Sequence, residues 1–442
     1  MGMKPWRWLA VGAAMCLLFG CNGDVRSGGP GGGGAGGEVC DDGVDNDDDT
    51  QVDCRDDDCD GAAACSFTEL AAGRSHACGV LGSGNVVCWG FNGEGQIGNG
   101  ETASEAVAPT VVDGLDDITD VAVGLRHSCA LGSDGNVHCW GNNDDGQLGD
   151  DSFANSPFPV EVSGVTTATD LSANGLHTCA VTNDEDFSRV HCWGANDRKQ
   201  VGVGKDEETR VPKEVKSLGR HVVDATGVVS GIKHNCAMMP NSRQTGYNVM
   251  CWGDNRSGQQ GMADERYEQS VAVRVVRQKS NGNAIRNFVE GSLAAGQNST
   301  CAIREGGSVW CWGDGSQGHF GSDALSESQF AAVEYPGLGD AERLWHAMFH
   351  VCAERASGRV TCWGDNGQLA FDDESKVHFN PVLLHDVVEP NDVAPGDRFT
   401  CWADSKGRAF CQGASDSGQL GTPSITQATS EPQRVYPEWS EP

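Results

Sequence analysis

The 442-residue chain carries 31 Lys and Arg against 63 Asp and Glu, a formal net charge of −32, with 61 glycines and 20 cysteines. So acidic a surface repels nucleic-acid phosphate and anionic lipid, which sets DNA and chromatin aside as partners. Helix-favouring runs are scarce and short apolar stretches alternate with turn residues, which favours one large β-rich repeat domain over two or three ordinary ones.

The chain opens with Lys4 and Arg7, followed by an apolar run from Trp8 to Phe19 that is short for a membrane span and right for a signal-peptide core. It ends in Leu18-Phe19-Gly20-Cys21, which resembles a bacterial lipobox. The resemblance implies a signal peptide over 1–20 and a lipidated Cys21, tethering the chain to the outer membrane or cell surface by acyl chains alone. Residues 21–39 are glycine-rich and predict a flexible linker.

Residues 40–65 hold eleven aspartates and one basic residue, Arg55. Like charges at this density need a counter-ion. Asp45, Asp47, Asp49, Asp53 and Asp56 stand at the first, third, fifth, ninth and twelfth places of an EF-hand-like loop. Thr50 where that loop takes Gly, and Asp56 where it takes a longer Glu, predict weak, structural Ca2+ binding. The stretch also resembles thrombospondin type 3 calcium repeats and Asp-rich, Cys-containing motifs of myxobacterial surface proteins. Cys40, Cys54, Cys59 and Cys65 predict two disulfides in one of three pairings.

From residue 66 to 442 a unit of about 50 residues recurs. Seven cysteine pairs mark it: Cys78 with Cys88, Cys129 with Cys139, Cys179 with Cys192, Cys236 with Cys251, Cys301 with Cys311, Cys352 with Cys362, and Cys401 with Cys411. In the second pair the turn centres on Asp134, which sets the cysteines opposite each other on adjacent antiparallel strands, within disulfide reach. Export makes oxidation the expected state. Four short strands per unit with glycine punctuation predict an all-β, seven-bladed propeller. The motifs "AAG-x-x-H-x-C", "G-x-V-x-C-W-G" and "G-Q-L-G" resemble the regulator-of-chromosome-condensation repeat, and the resemblance implies that same seven-bladed fold. The first unit lacks an upstream P-x-x-V strand and the chain ends with an unmatched one, Pro432 to Val435. The expectation is that this last strand completes the first blade.

His76, His127, His177, His234 and His350 share one repeat phase, with Ser299 and Phe399 in the other two units. Trp89, Trp140, Trp193, Trp252, Trp312 and Trp363 share another, with Gln412 as the exception. Both sets read as packing. There is no nucleophile elbow and no acid or base singled out by its surroundings, so the chain reads as non-catalytic. Units differ most between the fourth and fifth, where Arg274 and Arg277 are candidate partner-binding residues for an acidic protein. The reading is a monomeric cell-envelope scaffold binding a protein or glycan, an enzyme inhibitor being one variant. The alternatives are a nucleotide-exchange regulator, by family resemblance, and a polysaccharide-active enzyme.

Overall fold

The computed structural model describes Cys40, Cys54 and residues 59–437, apart from 184–186, 205–207, 218–219, 222–223, 242–244, 264–267, 276–284, 322–326, 366–376, 423 and 426. Apart from a two-stranded hairpin of Lys216–Ser217 and Arg220–His221, its strands fall into four-strand antiparallel groups, each formed by one continuous stretch of chain. The first comprises Phe67–Ala72, His76–Leu81, Val86–Asn92 and Ala103–Val111; the second Ile118–Val123, His127–Gly132, Val137–Gly141 and Ser156–Glu161. The third comprises Ala168–Asn174, His177–Asn183, Ser188–Gly194 and Thr209–Glu214; the fourth Gly227–Ser230, His234–Pro240, Tyr247–Asp254 and Glu268–Arg274. Phe288–Ala295, Ser299–Arg304, Ser308–Gly313 and Gln329–Glu334 form the fifth, and Ala341–His346, His350–Arg355, Arg359–Asp365 and Val377–Val388 the sixth. The last comprises Asp392–Pro395, Phe399–Ala403, Ala409–Gly413 and Thr429–Val435. Tyr247 pairs with Phe288, which joins the fourth and fifth groups into one eight-stranded sheet.

Within each group the central hairpin carries the cysteines in register. Cys129 faces Cys139, and the flanking pairs are Ser128 with Trp140 and Ala130 with His138. Such a hairpin needs a sharp exit, and Gly141 supplies it. Its φ is 102°, and a Cβ there would stand 2.6 Å from the Arg126 carbonyl oxygen. That is why glycine ends the C-W-G triplet.

Cores form between groups. The Cys129 and Cys139 sulfurs share a fully buried cluster with Leu171 and Trp193 of the next group. Likewise Cys78 and Cys88 pack with Trp140, Cys179 and Cys192 with Trp252, and Cys236 and Cys251 with Trp312. Each disulfide thus sits in the layer that its neighbour's indole fills. Where Gln412 replaces the tryptophan, Cys352 and Cys362 pack with Trp402 of the following central strand instead.

The terminal strand does not complete the first group. Thr429–Val435 pairs with Ala409–Gly413, with Cys411 opposite Gln433, as the outer strand of the last group. The first group has its own outer strand in Ala103–Val111, where Thr110 faces Cys88. The physical reason is local: the P-x-x-V strand lies one loop beyond C-W-G and folds back on it, so it ends its own unit. Among the described residues no strand is exchanged at the seam; side chains and backbone bonds, such as Phe67 N to the Gly407 carbonyl, close it. Phe67, Leu70 and Trp89 pack with Phe399, Leu420 and Val435.

Candidate functional site

The seven hairpin cysteine pairs are all bridged, with Cα atoms 4.0–4.1 Å apart. This is the narrow spacing of a non-hydrogen-bonded cross-strand pair. In the acidic segment the pairing is Cys40 with Cys59 and Cys54 with Cys65. Cys21 and the five candidate calcium ligands, Asp45, Asp47, Asp49, Asp53 and Asp56, lie outside the described residues, as does Arg277. Arg274 ends the outer strand of the fourth group, opposite Met250.

The repeating polar residues are joints between groups. His76 Nε2 meets Ser128 Oγ at 2.9 Å, His127 meets Thr178 Oγ1 at 2.9 Å, and His177 meets Asn235 Oδ1 at 2.8 Å. His234 meets Thr300 and His350 meets Thr400 in the same way. In the fifth group, where Ser299 stands at the histidine phase, His346 of the next inner strand supplies the imidazole, 2.9 Å from Ser299 Oγ. A close backbone explains the G-x-x-H motif: a Cβ on Gly124 would fall 2.2 Å from the His127 ring. Burial holds the His76, His127, His234 and His350 rings neutral, with their pKa values lowered to about 3. The tryptophans do parallel work. Trp140 Nε1 donates to the Gln96 carbonyl and Trp193 Nε1 to the Gln147 carbonyl, both at 2.9 Å, across to the preceding group. On the inner strands carboxylates make a third set of ties. Asp170 Oδ2 accepts from Val228 N at 2.7 Å, and Asp392 Oδ2 from Leu70 N at 3.0 Å.

Residues with such duties recur around the ring, so side chains that break the repeat are where function is best sought. Several converge on one cavity of about 440 Å3 where the last, first and second groups meet; it shares Asp397 with the central channel, which the first strands of all the groups line. The loops joining the first two strands of these groups bring in Arg74, Arg126, Asp397 and Arg398, while Phe91 and Leu125 form apolar walls. Arg126 Nη1 lies 3.5 Å from Glu94 Oε1, and Arg74 Nε lies 3.9 Å from Asp397 Oδ2. Asp397 is only 13% exposed, its Oδ1 has no hydrogen-bond partner among the described residues, and burial raises its pKa. Its backbone N–H donates to the Gly73 carbonyl at 2.9 Å, which fixes it at the seam. Arg398 is exposed, and its carbonyl accepts from Ala414 N at 2.7 Å. Sequence reasoning passed over this cluster. The only signal was a base directly before the histidine phase, Arg126, Lys233 and Arg398, where the other units have Ser75, Leu176, Asn298 and Phe349.

Sequence models of the Regulator of chromosome condensation (RCC1) repeat match residues 67–96, 118–147 and 292–318, and residues 83–131, 134–181 and 188–238. The chain is 27% identical over 366 residues to the Ultraviolet-B receptor UVR8 of Arabidopsis thaliana, spanning 80% of this chain and 78% of that one. It is 27% identical to the mitochondrial RCC1 domain-containing protein RUG3 of the same plant, over 60% of this chain and 58% of RUG3. Among solved structures, human WBSCR16 superposes with a TM-score of 0.67 at 18% identity, over 79% of this chain and 94% of that one. Prp20p of Saccharomyces cerevisiae superposes at 0.65 and 18% identity, over 83% and 87%. The fold is therefore a multi-bladed RCC1-repeat β-propeller.

Proposed function

We propose that this propeller is a non-catalytic, protein-binding regulatory scaffold whose working surface is the channel-mouth face bearing Arg74, Arg126, Asp397 and Arg398. One observation carries the reading: Arg74, Glu94, Arg126, Asp397, Arg398 and Asp416 line a single open cavity where three groups meet. Support comes from the structural relative Prp20p, described with binding properties to Gsp1p and histones and also bound to Kap60. Those likenesses lie nearer the exchange-regulator alternative than a general ligand scaffold. In our reading the four-strand groups are seven blades, and the chain works as a monomer. Cys21 carries the lipid that holds it at the cell envelope. Ca2+ binds weakly through Asp45, Asp47, Asp49, Asp53 and Asp56, and Arg274 with Arg277 offers a second contact for acidic partners.

Affinity capture by the purified chain, with and without Ca2+, tests the scaffold reading. We expect a discrete protein partner retained at about 0.15 M salt, where charges beyond roughly 8 Å are screened. Absence of any such partner would overturn it. A nucleotide-release assay on captured GTP-binding proteins separates the exchange alternative: acceleration by the propeller supports it, and unchanged release removes it. Mass spectrometry of the mature N-terminus tests lipidation at Cys21.

A further inference from the structure

We propose that the fourth group is a redox-sensitive element of the ring. It opens locally while the rest stays closed, and a small dithiol then reaches Cys236–Cys251 ahead of the other six hairpin bridges. This property is independent of what the propeller binds.

The hairpin cysteines are all fully buried, so none of these bridges can be attacked until its surroundings part. Three departures from the repeat single out the fourth group. The first lies beside the bridge itself. In the sister groups an apolar residue of the G-Q-L-G loop shares the buried cluster of that group's own sulfurs: Ile97 with Cys78 and Cys88, Leu148 with Cys129 and Cys139, Val201 with Cys179 and Cys192. The fourth group puts Gln260 at this place. Its side chain is fully buried; Nε2 donates to the Gly253 carbonyl at 2.5 Å, and Oε1 has no partner among the described residues. An acceptor left without a donor in a closed core regains one when water enters, so this amide favours the opened state.

The second departure is Lys199, in a loop of the third group that meets the fourth: Trp252 Nε1 donates to the Gln200 carbonyl at 2.8 Å. Sister loops have Gly95 and Gly146 at the Lys199 phase because the next outer strand comes close. A Cβ on Gly95 would stand 2.6 Å from Pro157 Cα, and one on Gly146 2.7 Å from Arg210 Cα. Lys199 carries that Cβ and holds φ at 64°, a region that disfavours side chains. The outer strand of the fourth group, Glu268–Arg274, therefore has to stand off where the others seat. The third departure is a missing tie. Asp170 and Asp392 bond the inner strand of the following group, but the fourth group has Gly227 at their phase and offers the fifth no carboxylate. Its hairpin is also adaptable. Met238 faces Val249 and Met250 faces Ala237, and such unbranched thioethers repack readily.

Once the group opens, a thiolate of the reagent attacks one sulfur of the bridge and the other leaves as thiolate. The reagent's second thiolate then displaces the first cysteine and closes its own disulfide, so the electron pair passes to the protein and both cysteines end reduced.

The test treats the full chain with dithiothreitol under native conditions, alkylates samples over time and maps the labelled cysteines by peptide mass spectrometry. Cys236 and Cys251 should take up label about tenfold faster than any other hairpin pair. Q260L, which restores the apolar residue of the sister loops, should slow that pair about tenfold and leave the other hairpin pairs as they were. K199G restores the sister glycine and should act in the same direction, so the answer does not depend on the leucine being accepted in the core. Simultaneous labelling of all the hairpin pairs, another pair in the lead, or a lead that neither substitution slows would each overturn the proposal.

Discussion

Asp60 and Arg434, 374 residues apart, form a charge-assisted hydrogen bond across the seam of the ring, and Asp60 Oδ2 also lies 3.5 Å from Arg408 Nη1. Asp60 follows Cys59, whose disulfide to Cys40 belongs to the acidic segment. The stretch after it bonds both sides of the seam. Gly82 N donates to the Ser66 carbonyl and Ser83 N to the Ala63 carbonyl, while Phe67 N donates to the Gly407 carbonyl at 2.7 Å. The segment is thus a clasp between the first and last groups, which share no strand. Asp60 is enclosed enough that D60N leaves Arg434 short of its carboxylate, while Arg408 keeps Asp404, at a cost of roughly 1–3 kcal/mol. The melting temperature should fall by several degrees. In a double-mutant cycle with R434Q the two losses should be less than additive. Additive losses would show that the clasp holds nothing.

Acid should loosen the ring through its histidines. Burial lowers the pKa of His127 to about 3 and of His177 to about 4, whereas the unfolded rings titrate near 6.5. Below pH 6.5 the unfolded chain therefore takes up protons that the folded chain refuses. Stability present above pH 6.5 is lost as pH falls toward 3, on the order of 1–2 kcal/mol for each ring by pH 5. Because the buried carboxylates act with the opposite sign, the test is a difference: the gap in urea midpoint between wild type and H127Q should narrow from pH 7 to pH 5. A gap that stays constant from pH 7 to 5 would contradict a neutral, buried His127 ring.

Alkali acts through the inner-strand carboxylates with the opposite sign. Burial, and then the charge of Asp170, raise the pKa of Asp120 to about 8, against 3.8 when free. Its contribution is full below pH 3.8 and is lost as pH rises to about 8. The stability gap between wild type and D120N should therefore shrink between pH 5 and 9, which denaturation at the two pH values measures.

The repeat, the hairpin register and the disulfides could be read from Cys129 and Cys139 because a turn centred on Asp134 leaves one register in phase with the flanking strands. The assignment of the last strand failed for a different reason. A P-x-x-V segment lies between two units, and its hydrophobic pattern is the same whether it pairs backward or forward. Only the backbone pairing of Cys88 with Thr110 decides it. The roles of His76 and Trp140 as packing residues were legible from their phase. Their hydrogen-bond partners were not, since Ser128 and Gln96 belong to neighbouring groups about 50 residues away. The cavity escaped notice because Arg74, Arg126 and Arg398 meet only once the ring has closed.

The indole girdle makes a stability prediction separable from simple burial. Trp140 is fully buried, and its Nε1 and Ser128 Oγ both donate to the Gln96 carbonyl at 2.9 Å. W140F keeps most of the apolar contact and one of the two donors, so it should cost about 1–2 kcal/mol. W140A empties the layer between the first two groups and should cost about 3–5 kcal/mol. Chemical denaturation of both variants gives the comparison. Equal losses would mean that the indole N–H contributes nothing beyond its ring.

The hairpin disulfides offer a test of what such a bridge does inside a propeller. Cys129–Cys139 spans 10 residues and Cys236–Cys251 spans 15. If unfolded-chain entropy alone set their worth, the longer loop would add only about 0.4 kcal/mol to a common value near 3 kcal/mol. Each pair, however, also fills a layer against the next group's indole, Trp193 in one case and Trp312 in the other. Replacing both cysteines by alanine removes two sulfurs from a sealed contact as well as the cross-link. The loss should therefore exceed the entropic figure by about 1 kcal/mol or more at both sites. Reducing the bridge without replacing the cysteines should fall between, because the sulfurs stay. Denaturation midpoints for the oxidised, reduced and alanine forms order the three. If the reduced and alanine forms coincide, the sulfur–indole layer contributes nothing and chain entropy accounts for the whole effect.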